Sequence, residues 1–462
     1  MTLRAAAGLT FLGLALLLGA GPAAAQSVHG CSDLAGPHAL ASVEGSEGTF
    51  FRLDPDLMMA HPFSDDTVEA LARLSRTLAA QGTQLIYVPL PTKSLVLPGR
   101  LPPAARDLGY DATLAATLYD DMIARLTAAG VSAVNARAAL RGGDAAQPSF
   151  FATDPRLTPT GTRRAAEAIA ATMATLPGLA ALPRTRFETR STGTARLPSP
   201  MRTALQRHCL IPLPQVEAET FATTRLDGAV AASGGTTLMA GAGIGTGSGA
   251  GPQARVALVG TEDAGDPGLN LAGFLATATG LDVQAYAVTD GGAFAAISSY
   301  LTSRSFAEGR PAVLVWTHPM SESLADHGDQ PLRELIAAAG DACRTALPLG
   351  PGTAPEMLVA DLSALDPAVP AMLMIDTGGA PATRVTVEVR GGASPARSRS
   401  VQRHRGQLPT GRFYVPLDGL WPEGAAMGAG LVADIRIDVA AGPGSLVTAC
   451  PDTSAPTSAG AP

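Results

Sequence analysis

The N-terminal two thirds of the chain alternate between helix-like and strand-like hydrophobic patterns. Apolar residues at three- and four-residue spacing indicate an amphipathic helix along Val68, Leu71, Leu74 and Leu78. The apolar run 84–90 then predicts a strand. Continuing the pattern, we predict a second helix along Leu114, Leu118, Met122 and Leu126, strands at 131–134, 256–259, 283–288 and 313–316, and helices at 160–173, 269–279 and 294–301. Strands that alternate with helices pair in parallel, so this region predicts an α/β fold.

The hydrophobic pattern changes after residue 343, where short apolar runs stand between Gly/Pro turns. Asp434, Arg436 and Asp438 alternate with apolar residues, as they would in a strand with one solvated face. We predict strands at 357–360, 371–375, 385–389, 413–415, 431–439 and 446–448. Their spacing is typical of an antiparallel β-sandwich.

The N-terminus carries the features of a secretory signal peptide. Arg4 precedes an apolar run at 5–18, and the small residues Ala23, Ala24 and Ala25 follow it. The alternative is a transmembrane anchor, but a span needs roughly 20 apolar residues and this run is shorter. We therefore predict that residues 1–25 are removed and that the mature protein is periplasmic.

Length and composition fit two domains. The chain has 462 residues, of which 46% are hydrophobic and 16% charged, enough for a large core in each domain. We predict an α/β domain at 26–342, with a flexible Gly/Ala-rich loop at 228–251, a β-sandwich at 343–451 and a disordered tail at 452–462. The net charge of −7 identifies no partner by itself.

Export to an oxidising compartment makes the four cysteines candidates for two disulfides. Three pairings are possible. The pairs Cys31–Cys209 and Cys343–Cys450 are favoured, because each then brackets one predicted domain. A metal site is the alternative, but the cysteines lie far apart and no histidine cluster accompanies them. We predict no metal and no cofactor.

Four segments match, in order and spacing, the motifs of one family. Residues 43–52 are similar to a motif that carries Trp where this chain has Thr49, and residues 87–93 (YVPLPTK) to a core strand and its loop. Residues 151–161 (FATDPRLTPTG) are similar to a D-x-H-W-T-P-x-G segment, and residues 256–262 (VALVGTE) to a nucleophile strand that ends in Gly-Thr-Ser. Together they resemble the AlgX/AlgJ-like alginate O-acetyltransferase family. The resemblance implies an α/β SGNH-hydrolase-like parallel-sheet domain followed by an all-β sandwich that binds carbohydrate.

The resemblance also implies a Ser-His-Asp triad, of which one member is retained. Asp154 stands at the position of the orienting aspartate, Arg156 at that of the histidine and Glu262 at that of the serine. Arginine keeps its proton and cannot act as the general base, and a glutamate would form a labile anhydride. We expect an Arg156–Glu262 ion pair to fill the site. The alternatives are that Asp154 only caps the following helix, or that His318 acts as a displaced base.

A basic run in the predicted sandwich suggests an anionic polymer. No acidic residue occurs from residue 389 to 415, and arginine forks bind the carboxylates of alginate in bidentate fashion. The candidates for polysaccharide binding are Arg390, Arg397, Arg399, Arg403 and Arg405, together with Lys93 of the first domain. The alternative is a solvated basic loop. Export argues against nucleic acid as a partner.

Two classes of function follow from these features. The first is a non-catalytic periplasmic factor in alginate-type exopolysaccharide biosynthesis and O-acetylation, which binds the polymer or supports an active relative. The second is an active O-acetyltransferase or acetylesterase with an unrecognised nucleophile. The expected partners are an anionic, alginate-like exopolysaccharide, a membrane-bound O-acyltransferase and other secretion-complex proteins.

Overall fold

A computed structural model describes residues 27–37, 40–59, 61–142, 147–226, 236–237, 255–340, 342–391, 395–404, 406–428 and 430–453. The predicted signal peptide lies outside the described residues, as does nearly all of the predicted loop at 228–251. Within that loop, Thr236–Thr237 forms a short strand that pairs with a strand of the central sheet, so the prediction of a loop is wrong at these two residues. No described helix is long and apolar enough to cross a membrane.

The N-terminal part contains ten strands and twelve α-helices among its described residues. The strands are β1 (Ser42–Glu44), β2 (Phe50–Arg52), β3 (Gln84–Leu90), β4 (Ser132–Ala133), β5 (Phe187–Arg196), β6 (Glu217–Arg225), β7 (Thr236–Thr237), β8 (Arg255–Gly260), β9 (Asp282–Ala287) and β10 (Val313–Pro319). The helices are α1 (Asp65–Ala80), α2 (Lys93–Val96), α3 (Ala104–Asp107), α4 (Ala112–Ala128), α5 (Ala136–Arg141), α6 (Pro159–Ala174), α7 (Pro200–Gln206), α8 (Glu262–Gly265), α9 (Leu271–Thr279), α10 (Gly292–Leu301), α11 (Arg304–Glu308) and α12 (Gln330–Gly340).

The core of this part is a six-stranded parallel sheet in the order β4-β3-β10-β8-β9-β7. Its central strands β3, β8 and β10 are buried on both faces, which explains their continuous apolar sequences. Two hydrophobic clusters cover the two faces, one built on α1, α4, α10 and α12 and the other on α5, α6 and α9. The predicted α/β fold is confirmed.

Helix boundaries follow local chemistry, but one predicted stripe is wrong at two of its four positions. Ser64 caps α1, because its hydroxyl accepts from the Thr67 backbone N–H over 3.1 Å. In α4, Leu114 and Leu118 are exposed, and the buried face instead contains Ala115, Tyr119, Met122, Ile123 and Leu126. The Tyr119 hydroxyl donates to the Pro89 carbonyl over 2.9 Å, which turns this neighbouring face towards the sheet.

The C-terminal part is a sandwich of two antiparallel sheets. Its strands are β11 (Thr345–Ala346), β12 (Leu349–Pro351), β13 (Met357–Asp361), β14 (Ala371–Asp376), β15 (Arg384–Arg390), β16 (Arg397–Gln402), β17 (Arg412–Pro416), β18 (Val432–Ile437) and β19 (Leu446–Pro451). One sheet has the order β11-β19-β14-β17, and the other has the order β12-β13-β18-β15-β16. Alternate residues of each strand fill the space between the sheets, as in β15 and β18. The predicted sandwich is confirmed.

Two features were not anticipated from the sequence. Strands β5 and β6 form a separate antiparallel hairpin whose residues are largely exposed. Asp452, predicted to begin a disordered tail, is buried and forms an ion pair with Arg333 of α12. The tail prediction is therefore wrong at Asp452, and residues 454–462 lie outside the described residues.

Both predicted disulfides are present. Cys31 is bonded to Cys209, and Cys343 to Cys450. The second bond joins the segment after α12 to the last strand of the sandwich. The alternative of a cysteine metal site is thereby wrong, because all four thiols are used.

Candidate functional site

A cleft opens at the carboxyl ends of β3, β8 and β10, where parallel α/β sheets place their ligands. It encloses about 180 Å³. Strands β8 and β10 approach closely at this end, since a Cβ on Gly260 would lie 2.3 Å from the Oγ1 of Thr317. The charged residues that line the cleft are Arg52, Asp56, Lys93, Arg156, Glu262, Asp263 and Glu322. Two of the three triad positions, Arg156 and Glu262, thus face one site.

Asp154 and Arg156 form a closed ion pair beside the cleft. The Arg156 guanidinium donates from Nε to Oδ1 of Asp154 over 2.8 Å and from Nη2 to Oδ2 over 3.1 Å. The same Nη2 donates to the Pro198 carbonyl over 2.7 Å, and Nη1 lies 3.6 Å from a carboxylate oxygen of Asp266. Although burial opposes it, hydrogen bonds from Arg156 and Ser199 hold the pKa of Asp154 below its ordinary value. Asp154 is therefore a carboxylate whose two oxygens both accept hydrogen bonds from Arg156.

The predicted ion pair between Arg156 and Glu262 is wrong. Arg156 pairs with Asp154 and Asp266, while Glu262 begins α8 with an exposed side chain. The bidentate bond to Asp154 is reinforced by the Arg156 backbone N–H, which donates to the same carboxylate over 3.0 Å. This local arrangement occupies the guanidinium and leaves Glu262 facing the cleft and solvent.

The two alternatives weighed for this region are also wrong. Helix α6 is capped by Thr158, whose hydroxyl accepts from the Gly161 N–H over 3.1 Å, and so Asp154 is not the cap. His318 is buried, with Nε2 2.7 Å from the Tyr87 hydroxyl and Nδ1 2.9 Å from the Pro319 carbonyl. Burial lowers the pKa of His318 to about 4. Because both ring nitrogens are occupied inside the sheet, His318 is a structural residue.

Lys93 lines the cleft but is only 1% exposed. Its Nζ donates to the Phe50 carbonyl over 3.0 Å and to the Ala152 carbonyl over 3.3 Å. Burial lowers the pKa of Lys93 to about 8, although Asp56 and Asp154 oppose the shift. Lys93 as a polysaccharide-binding residue stays a prediction, and only a group that enters the cleft can reach this ammonium.

Two further carboxyls of the cleft, Asp263 and Glu322, were missed in the sequence. Burial raises the pKa of Asp263 to about 7, with Glu262 adding to the rise and Arg156 opposing it. Burial also raises the pKa of Glu322 to about 7, and Glu262 again adds to it. Their positions in the sequence could have identified them as cleft residues, since Asp263 follows the nucleophile position and Glu322 follows the end of β10. Their burial depends on the packed loops and leaves no trace in the sequence.

We expect Asp263→Asn to stabilise the protein in a pH-dependent way. A carboxyl whose pKa is raised by folding contributes stability below its ordinary pKa, and this stability is lost as the pH rises through about 7. The advantage of the variant in melting temperature should therefore grow between about pH 4 and pH 7 and then level off, reaching a few degrees. Thermal unfolding followed by circular dichroism measures it. The exposed Glu356→Gln serves as the control, and an equal gain for it would contradict the assignment.

Three arginines of the basic run form ion pairs with acids of β18 and of the segment between β17 and β18. Arg390 pairs with Asp434, Arg397 with Glu423 and Arg399 with Asp418. The register places Arg397 and Arg399 opposite the inward-facing Val389 and Val387, so both lie along the edge of the sandwich instead of on its outer face. The alternative of a solvated basic loop is wrong at Arg397, Arg399 and Arg412, because they lie in β16 and β17.

Arg403 is buried, which makes its prediction as a polysaccharide ligand wrong. Its guanidinium donates to both carboxylate oxygens of Glu334 in α12, over 2.6 and 2.7 Å. It also donates to Ser298 of α10 over 2.8 Å and lies over the Phe413 ring at 4.8 Å. Arg403 therefore joins the sandwich to the α/β part. Arg405 lies outside the described residues.

Among the described residues there is no group of three or more His, Cys, Asp or Glu side chains that could hold a metal ion. Where a described carboxylate of the cleft forms an ion pair, its partner is an arginine, as in the pair between Asp56 and Arg52. The charged part of the lining thus consists of ion-paired groups, one buried ammonium, two carboxyls of raised pKa and the exposed Glu262.

Comparison with known proteins places these features in a family. Residues 43–320 match the family model described as an SGNH hydrolase-like domain, acetyltransferase AlgX. The alginate biosynthesis protein AlgX of Pseudomonas aeruginosa is 29% identical over 274 residues, which cover 59% of this chain and 54% of that protein. The probable alginate O-acetylase AlgJ of Pseudomonas syringae is 28% identical over 268 residues, covering 57% of this chain and 63% of that protein. These alignments thus span little more than half of each relative.

The fold similarity extends further than the sequence similarity. The solved structure of Pseudomonas aeruginosa AlgX superposes with a TM-score of 0.69 and 20% identity, covering 89% of this chain and 94% of that chain. At this identity the match concerns the fold. It includes the C-terminal sandwich, which lies beyond the residues that the family model matches.

Proposed function

Because the chain belongs to the AlgX family of SGNH hydrolase-like domains, we propose that it is a non-catalytic, polymer-binding factor in alginate-type exopolysaccharide biosynthesis and O-acetylation. We further propose a periplasmic location and a boundary between the two domains at 342–343. The disulfides and the curated relatives support export and the pathway. Specific protein partners, including a membrane-bound O-acyltransferase, belong to the same proposal.

The observation that carries this proposal is the chemistry at the triad positions. Glu262 supplies no hydroxyl, and Arg156 is a protonated guanidinium bound to Asp154. Acyl transfer through a serine needs a nucleophile and a base that takes its proton. None of the described lining residues is a histidine. The alternative of an active enzyme with an unrecognised nucleophile would have to use a carboxyl or Lys93 as its base, and the Lys93 ammonium already donates to the Phe50 and Ala152 carbonyls.

The test is acyl-adduct formation together with polymer binding. The purified protein, incubated with a small activated acetyl ester, should give no covalent adduct by intact-protein mass spectrometry and no hydrolysis above background. The same preparation should bind alginate in affinity electrophoresis. A trapped adduct would overturn the non-catalytic proposal, and absence of alginate binding would overturn the polymer-binding part.

We propose that the polymer binds those arginines of the sandwich that the fold leaves accessible. Arg390 and Arg397 remain exposed at 51% and 50%, even though each has an acidic neighbour. Arg384 and Arg436 are exposed on the outer face of the same sheet. Exposed ion pairs are weak, so a polyanion can compete for these arginines.

We expect the double substitution Arg390→Ala with Arg397→Ala to weaken alginate binding by roughly threefold to tenfold. Added salt should weaken wild-type binding in the same direction, because the contacts are exposed and screened. Affinity electrophoresis at low and high ionic strength measures both effects. Arg304→Ala, an exposed arginine of the α/β part, is the matched control. Equal losses in both variants would place the polymer elsewhere.

A further inference from the structure

A groove lies where the start of α1 packs beside the start of α12. It encloses about 370 Å³ and shares no described lining residue with the cleft. The buried part of its lining is apolar, with Leu332 and Ile336 of α12 almost inaccessible and Ala70 of α1 partly exposed. We call this site the α1–α12 groove and define it by these three residues and by three exposed acids, Asp66, Glu69 and Asp329.

The exposed rim of the α1–α12 groove carries an excess of negative charge. Its acids are Asp66, Glu69 and Asp329. The two arginines of the described lining do not balance them, because Arg73 pairs with Glu69 and Arg333 is already shared by three carboxylates. An anionic polymer is therefore repelled from this groove, whereas a cationic group is attracted to it.

One buried donor of the lining lacks an acceptor. Arg333 is only 6% exposed, and its Nη1 donates to Asp329 over 3.2 Å and to Asp418 over 3.1 Å. Its Nη2 donates to Asp418 and Asp452, but its Nε is buried and makes no hydrogen bond among the described residues. Buried N–H groups are satisfied in nearly all folded proteins. A small cation would leave this N–H unmet, whereas a polypeptide brings backbone carbonyls as well as cationic side chains.

The parts of this chain outside the described residues offer no basic segment for the groove. Of the arginine and lysine residues, those parts contain only Arg4 and Arg405. Arg4 belongs to the predicted signal peptide, and Arg405 stands alone between described residues of the sandwich. A cationic segment that occupies the groove therefore comes from another molecule.

We infer that the α1–α12 groove docks a basic, amphipathic segment of a partner protein. A lysine or arginine of that segment lays its aliphatic stem against Leu332 and Ile336 and holds its charged head beside the exposed acids. A backbone carbonyl of the same segment accepts from Arg333 Nε. The inference does not depend on polymer binding, because alginate and the partner carry opposite charges and use different surfaces of the molecule.

The test is fluorescence anisotropy of the full chain with two labelled peptides. In the first, of about 14 residues, leucine recurs at helical spacing and the remaining positions are lysine and alanine; in the second, glutamate replaces lysine. The lysine peptide should bind with a Kd of roughly 1–100 μM at low salt. Raising the salt from about 0.05 M to about 0.5 M should weaken this binding at least about fivefold, because the acids of the rim are exposed. Equal binding of the two peptides would overturn the inference.

Substitutions locate the peptide on the protein. Asp66→Asn with Asp329→Asn should weaken binding of the lysine peptide by roughly threefold to tenfold. Ala70→Lys, which places a cation inside the groove, should weaken it at least about tenfold. The matched control is Glu219→Gln with Glu356→Gln, which removes the same charge from exposed positions elsewhere and should leave the affinity unchanged. Equal losses in the two double variants would mean that the overall charge, and not the groove, holds the peptide.

The self-association of the chain and its binding of alginate separate the remaining outcomes. If light scattering finds a dimer that the Asp66→Asn and Asp329→Asn substitutions dissociate, the groove is occupied by a second copy and the partner assignment is wrong. If the lysine peptide does not bind while alginate does, the groove inference fails and the proposed function stands. Loss of alginate binding alone would overturn the polymer-binding proposal and leave the groove inference intact.

Discussion

Replacing Glu334 by alanine is expected to lower the free energy of unfolding by roughly 3–5 kcal/mol, the largest stability effect that we predict for this protein. The substitution would leave the Arg403 guanidinium buried without its bidentate partner. Both side chains are almost inaccessible, at 5% and 4% exposure, so water cannot replace the lost carboxylate. The Tyr414 N–H, 3.2 Å from Glu334 Oε1, would lose its acceptor too.

Chemical denaturation measures this effect, and two further variants test whether it arises from the unpaired buried charge. Asp434→Ala, which breaks the exposed pair with Arg390, should cost at most about 1 kcal/mol. Glu334→Leu with Arg403→Met removes both buried charges and should recover much of the loss. If the single and double variants are equally unstable, packing of the two side chains, and not the unpaired charge, sustains the contact between the domains.

The second large effect concerns catalysis. Glu262→Ser with Arg156→His should hydrolyse a small activated acetyl ester at least about a hundredfold faster than wild type, since a positioned general base alone contributes that much. Asp154 is buried, ionised and already aimed at position 156, so it can orient the new imidazole. The serine would follow β8 at the carboxyl end of the sheet, where Glu262 now lies.

Single variants make the gain interpretable. Glu262→Ser alone lacks a base, Arg156→His alone lacks a nucleophile, and Glu262→Ala with Arg156→His reproduces the charge change without a hydroxyl. Only the full pair should form a trapped acyl adduct by mass spectrometry. Loss of Arg156 also frees the Pro198 carbonyl and Asp266. If the double variant folds but is inactive, the loss of activity does not come from the missing serine and histidine alone. The contacts of residue 156 with the Pro198 carbonyl and Asp266 must then also differ from those of a catalytic site.

Much of the fold could be predicted from the local hydrophobic pattern, because the periodic apolar positions of regular helices and strands are also the buried ones. The run 84–90 is largely buried and forms β3 with the predicted bounds, and the helix that contains Val68, Leu71, Leu74 and Leu78 is present as α1. The α4 stripe was wrong at Leu114 and Leu118, because the buried face of the helix contains Ala115 and Tyr119, whose hydroxyl donates to the Pro89 carbonyl. The hairpin β5–β6 is largely exposed, so it carries little hydrophobic signal.

The sequence by itself determined which groups are available for chemistry. A chain with Glu262 and Arg156 at the triad positions has neither the hydroxyl nor the base of a serine hydrolase, whatever their arrangement. The even number of cysteines and their distribution likewise favoured, among three possible pairings, the one that is found. These conclusions depend on residue identity and order along the chain, which the sequence states directly.

Only the tertiary structure decided how the charges are used. The run 389–415 is predicted from the sequence to carry free positive charge, yet it pairs with Glu334 of α12, with Asp434 of β18, and with Asp418 and Glu423 of the segment that follows the run. The same holds in the cleft, where Arg156 turns to Asp154 and Asp266 instead of Glu262. Charge pairing and pKa depend on distances of a few ångströms and on exclusion of water, and both arise only when remote elements pack together.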